Sequence, residues 1–236
     1  MKITARCLRL IVTAGAFALF SGTPALSALE KLTPPRPGKP IRVAVVLTEN
    51  ANMMDFAGSW EVFQDVQIPA GDGINTTNGF ELYTVSDSTQ PIHTTGGMVV
   101  VPECAFKDAE PPDVIVVGAQ KGSPALLDWL RQQAPRVQVL QSVCTGASKL
   151  AAAGLLDGKE ATTHHDYVAA FAEKFPKVKF VKSKRFVQSD PVILTAGGIT
   201  SGIDGALHVV ERYFGRAIAQ QTADYMEYEG TGWKQG

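Results

Sequence analysis

Val137-Gln-Val-Leu-Gln-Ser-Val-Cys144-Thr-Gly-Ala-Ser-Lys-Leu-Ala-Ala-Ala-Gly154 joins an apolar, strand-like run to a small-residue stretch of helical character. Cys144 sits at the junction. Small residues stand two before it (Ser142) and two after it (Gly146), as a sharp strand-to-helix turn requires if neighbouring backbone is to approach closely. A thiol held on such a turn points its sulfur at open space. The unpaired N–H groups and positive end of the following helix favour thiolate, so the sequence predicts a cysteine more ionised than a free one. The competing reading is a buried, inert cysteine that fills a gap at a strand end.

Working outward from this turn, strands and helices alternate. Ile41–Thr48 is a near-continuous β-branched run, the mark of a central parallel strand buried on both faces. A helix over Phe56–Val66 carries apolar residues at helical spacing, with Asp55 as its N-cap. Phe80–Ser86 reads as a strand, Pro91–Val101 as two short strands turning at Gly96-Gly97, and Asp113–Gly118 as a third buried strand. Ser123-Pro124 opens a helix that runs through Gln133. Beyond the cysteine come a short strand at Ala161–Thr163, a helix to Lys174, a hairpin around Ser189-Asp-Pro191, and helices over Ile199–Phe214 and Ala217–Tyr228. The alternation predicts an α/β fold with a doubly wound, mostly parallel sheet and its chemistry at the carboxyl ends of the strands.

Lys2, Arg6 and Arg9 precede an apolar stretch from Leu10 to Phe20, and Ala25-Leu-Ser-Ala28 supplies small residues for cleavage. These are the parts of a secretory signal over residues 1–28, and they predict export, to a bacterial periplasm. The apolar stretch is too short to span a bilayer, and no other segment is long and apolar enough to try. Residues 29–40, with four prolines from Lys31 to Pro40, read as an extended lead-in to one domain over 41–230. Removing the signal takes three of the 22 basic residues and none of the 23 acidic ones. The mildly acidic remainder has no basic stripe, which argues against nucleic acid and anionic membrane as partners. Cys104 and Cys144 are left in an oxidising compartment. They either form one bridge or stay apart, and an elbow cysteine over a sheet end seldom meets the bridging geometry.

Four stretches together resemble the DJ-1/PfpI superfamily: Val43 to Phe63 with its Met-Met-Asp-Phe-Ala-Gly, Ser142-Val-Cys-Thr-Gly-Ala147, Ala152 to His164, and Thr195 to Asp204. They are most similar to its isonitrile hydratase branch and to the sensor domains of AraC-type regulators. The resemblance spans the mature chain and implies a flavodoxin-like sandwich, a homodimer, and Cys144 as the reactive group. It also implies that Asp55 faces the cysteine, where a carboxyl group can hydrogen-bond to sulfur or shuttle a proton. Glu49 is the weaker candidate for that acid. Thr145 stands where protease-like members have histidine, so the Cys-His pair that supports peptide hydrolysis is missing. In hydratase-like members this threonine lines the site.

Gly118 and Ala119 end the third strand and are expected to offer an oxyanion donor, although Val117-Gly-Ala-Gln-Lys replaces the more usual proline and paired glycines. His164 resembles a position near the reactive cysteine. His165 either shapes the pocket or is solvated, and His208, in an apolar helix, reads as a core histidine. No histidine, cysteine or acidic set shows metal-ligand spacing, and no phosphate loop appears, so no cofactor or metal is expected. Gly197, Gly198 and Gly202 read as tight-packing positions. These readings support an exported enzyme in which Cys144 attacks a small electrophilic substrate, such as an isonitrile, a reactive carbonyl or an activated amide. The alternative is a ligand-binding or oxidation-sensing module without turnover. The regulator form of that alternative is disfavoured by the export signal and by a chain that ends at Gly236 without a helix-turn-helix pattern.

Overall fold

The structure, a computed structural model, describes residues 31–71 and 75–235. The expected signal segment lies outside the described residues. Seven strands form the central sheet: β1 (Ile41–Val46), β2 (Phe80–Ser86), β3 (Cys104–Ala105), β4 (Val114–Val117), β5 (Val139–Val143), β6 (Phe186–Gln188) and β7 (Ile193–Ala196). Their order is β6-β7-β5-β4-β1-β2-β3. All neighbours run parallel except β6 and β7, the hairpin expected around Asp190.

Side-chain alternation along β1 explains the layers. Val43 and Val45 enter one core with α1 (Met53–Gln64) and α5 (Ser201–Phe214), while Ala44 and Val46 enter the other with α2 (Pro124–Gln133) and α3 (Ala147–Ala152). Two shorter helices complete the set, α4 (Val168–Lys174) and α6 (Arg216–Tyr225). The chain lays β2 and β3 on one side of β1 and then returns to build β4, β5 and β7 on the other. The switch therefore falls between β1 and β4, where an open α/β sheet leaves a crevice for ligand.

Local differences from the sequence reading have physical causes. The first helix begins three residues earlier than expected, with Asn52 at the N-cap position, so Asp55 lies inside its first turn and is not the cap. Short hairpins such as Gln67–Pro69 with Thr76–Asn78 were too polar for a strand pattern to register, and Glu160–Ala161 pairs with Lys179–Phe180 outside the main sheet. The lead-in is docked. Leu32 N–H donates to the Arg212 carbonyl (2.8 Å), Gln138 donates to the Thr33 carbonyl (3.0 Å), and Arg36 pairs with Asp113 (2.7 Å). Trp233 is fully buried, so the packed body also extends past residue 230. No helix among the described residues is long and apolar enough to cross a membrane.

Candidate active site

Cys144 leaves β5 with a positive φ of 56°, which L-residues seldom adopt outside sites that over-determine them. Three contacts hold it there. Its N–H donates to the Gly197 carbonyl (2.8 Å), the Thr163 hydroxyl donates to its carbonyl (2.9 Å), and Gly146 lets the turn pack on β4. A Cβ at Gly146 would stand 2.0 Å from the Val117 carbonyl oxygen, so a larger residue is excluded. The thiol is 6% exposed and faces a cavity of about 630 Å³. Ala119, Thr145, His164, Tyr167 and Ile199 help to line it.

Asp55, fully buried, reaches the same place from α1. Its Oδ2 accepts the Ala119 N–H at 2.8 Å, and Gly118 makes room for it, since a Cβ there would meet Asp55 Cβ at 2.8 Å. This corrects the oxyanion expectation: the Ala119 amide is committed to Asp55, and Gly118 and Ala119 position the carboxyl group. Burial raises the Asp55 carboxyl to about 6, against the lowering effects of the Ala119 amide and the Cys144 thiol. Its Oδ1 is buried without another aligned partner.

The expectation of a thiolate is also corrected. Burial, then the nearby Asp55 carboxylate, pushes the Cys144 thiol up to about 11, and the amides of Thr145 and Ile199 offset this only in part. The cause is local. Behind the cysteine stand a three-residue 3₁₀ turn and a six-residue helix, too short to outweigh desolvation and a facing carboxylate. Between about pH 6 and 11 the pair therefore holds one proton, on sulfur, next to a carboxylate.

His164 lies at the cavity wall with its ring against Gly198, where a Cβ would come within 2.5 Å of Cδ2. Its Nδ1 accepts the Asp166 N–H (3.3 Å), and His165 is largely exposed. The structure brings donor atoms of His164, His165 and Asp166 within 4.8 Å of one another, a cluster that the sequence reading did not register. Consecutive residues on a tight turn do not show the spacing that a search along the sequence looks for. His208 is buried, beside Gln188, and burial with Arg212 nearby lowers it to about 3, as befits a neutral core residue. Glu49 turns toward His93 and does not line the cavity. Cys104 and Cys144 are both free, and Cys104 lies on the edge strand β3.

Sequence reasoning missed Ile199, whose amide addresses the sulfur from a positive φ of 47°, and Gln120, whose buried Oε1 accepts the Thr48 N–H (2.7 Å). The glycine pair before Ile199 was the available signal for a tight turn there. A second cavity of about 530 Å³ shares His164 and Ile199 with the first and is lined by Lys182, Lys184 and Arg185.

Sheet order, a cysteine on a strained strand-to-helix turn and a facing buried acid define a flavodoxin-like α/β sandwich of the nucleophile-elbow class. The family model for the DJ-1/PfpI family matches residues 41–212, and the chain belongs to that family. It is 31% identical over 197 residues to an isonitrile hydratase of Pseudomonas putida, covering 80% of this chain and 78% of that one. It is 28% identical over 204 residues to the HTH-type transcriptional regulator GbdR of Pseudomonas aeruginosa, covering 83% of this chain but only 53% of the regulator. The chain thus spans about half the length of that regulator. Among solved structures, a ThiJ/PfpI family protein from Pseudomonas syringae superposes with a TM-score of 0.68 at 24% identity, covering 81% of this chain and 76% of that one. Drosophila melanogaster DJ-1beta gives 0.65 at 18% identity, covering 81% of this chain and all of that one.

Proposed function

We propose that this protein is an enzyme that hydrates a small electrophile, with an isonitrile as the substrate class, through Cys144 and Asp55. The observation that carries the reading is the buried Asp55 carboxyl group set against the Cys144 thiol, at a cavity of about 630 Å³. An isonitrile carbon accepts both a proton and a nucleophile. In the first step the thiol proton moves to that carbon through Asp55 while sulfur bonds to it, giving a thioimidate, R–N=CH–S–Cys144. Water then adds to the same carbon. Asp55 carboxylate takes a proton from the water, and the nitrogen gains one. The adduct R–NH–CH(OH)–S–Cys144 collapses as the hydroxyl proton returns to sulfur, releasing an N-substituted formamide and the free thiol. The net change is addition of one water.

Similarity to an isonitrile hydratase over most of both chains supports this choice of substrate. Purified protein incubated with a panel of alkyl and aryl isonitriles should yield the formamides by mass spectrometry, and Cys144→Ser should yield none. Absence of product across the panel would overturn the reading. The similarity to a regulator favours one alternative, a ligand-binding module without turnover. Saturable binding of an isonitrile with no product formed would establish it.

Two further proposals concern context. The residues at 1–28 support export with cleavage between Ala25 and Ala28, which intact-mass measurement of the protein made in bacteria decides. The apolar side chains of Met53, Met98, Val99 and Val101, exposed by 43–61%, support self-association as a homodimer, which sedimentation velocity decides.

A further inference from the structure

We propose that His164, His165 and Asp166 form a binding site for a late first-row divalent cation such as Zn²⁺, at the rim of the cysteine cavity. Three observations carry it. The first is spacing. Asp166 lies between the two imidazoles, with Oδ2 at 3.7 Å from His164 Nδ1 and Oδ1 at 3.2 Å from His165 Nε2. Donors on a tetrahedral zinc ion with bonds of about 2.0–2.1 Å stand roughly 3.3–3.4 Å apart. The two contacts, each to a different carboxylate oxygen, lie near that separation, and one donor atom from each of the three residues fits within 4.8 Å, so a small side-chain adjustment closes the set.

The second is protonation geometry. His164 Nδ1 accepts the Asp166 N–H at 3.3 Å, so that nitrogen carries no proton, and a cation would claim its single lone pair by displacing this long contact. The His164 ring lies against Gly198 and stacks on His165 with centroids 4.4 Å apart, so the first imidazole is already positioned. The third is charge. The Asp166 carboxylate contacts both imidazoles, and among the described residues no lysine or arginine forms an ion pair with it.

Two nitrogens and one carboxylate select borderline cations over Mg²⁺ or Ca²⁺, which take oxygen donors. Three protein ligands leave at least one position for water or a small ligand, the open arrangement of non-structural zinc sites. His164 and Asp166 also line the cavity that holds Cys144, so the ion would sit beside the reactive group without using it as a ligand.

The test is Zn²⁺ titration of the full chain in competition with a chromophoric chelator, with Mg²⁺ as control. One equivalent should bind to wild type and to Cys144→Ser alike, and Mg²⁺ should not displace it. His165→Ala and Asp166→Asn should each weaken binding at least tenfold. Both side chains are more than two-thirds exposed, so circular dichroism should show these variants folded. Binding that survives both substitutions, binding that vanishes in Cys144→Ser, or no binding in the micromolar range would each overturn the site. All these readouts are independent of isonitrile turnover, so neither proposal stands or falls with the other.

Discussion

Asp55 and Cys144, brought together from α1 and from the end of β5, hold one proton between them from about pH 6 to about pH 11. Above 6 the carboxylate is available to accept a proton, and below 11 the thiol still has one to give. The rate constant kcat/KM should therefore rise through about pH 6 and fall toward 11. A flat profile across pH 5–7 would remove Asp55 from the reaction.

Asp55→Asn separates chemistry from stability. Turnover should drop by roughly a hundredfold or more, the scale of a lost general acid or base. The folded carboxyl lies above its unfolded value of about 3.9, so the native state binds the extra proton and stability falls as pH rises from about 4 through 6. The full destabilisation, a ceiling of about 3 kcal/mol, is present above pH 6. Asparagine removes the buried charge and keeps an acceptor for the Ala119 amide. Its melting temperature at pH 7.5 should match or exceed wild type, which differential scanning calorimetry reads.

Alkylation of Cys144 should be slow at neutral pH and climb steadily above pH 9, because so little of the thiol is ionised. The Asp55→Asn variant should react faster at pH 8, on the order of tenfold for each unit by which the thiol falls. Iodoacetamide labelling followed by peptide mass spectrometry measures both. A wild-type thiol already titrating near 7 would contradict the burial argument.

Gly146→Ala should destabilise by about 2–4 kcal/mol, since the added carbon collides with rigid backbone at Val117 and the turn must shift. Thr163→Val should cost about 1–2 kcal/mol for a buried hydrogen bond to the Cys144 carbonyl. Urea unfolding gives both numbers. Because Thr163 helps to fix the positive φ, its loss should also lower kcat while leaving ligand binding largely intact.

The elbow and the sheet were legible because their signals are local. β-branched runs mark β1 and β4, and Ser123-Pro124 marks the start of α2 to the residue. The site was legible as a list of residues but not as an electrostatic state. Sequence places Cys144 before a helix, yet only the packed fold reveals how little solvent reaches it and that a carboxylate faces it. The Ala119 amide shows the same limit, because its use by Asp55 depends on contact across 64 positions of chain. Asp204 is a further case. It belongs to the fourth family-like stretch, and in the fold it binds Arg185 (2.5 Å) and the Trp233 amide (3.0 Å), which tells of architecture and not of chemistry.

The sheet ends in the two-residue strand β3 on one side and the three-residue strand β6 on the other. Neither offers a long ladder of unpaired backbone groups on which a second chain could grow by strand addition. Edge-to-edge growth of the central sheet is thereby disfavoured, and partners are left to meet the side chains of the surrounding helices, loops and small hairpins, whose identity decides who binds.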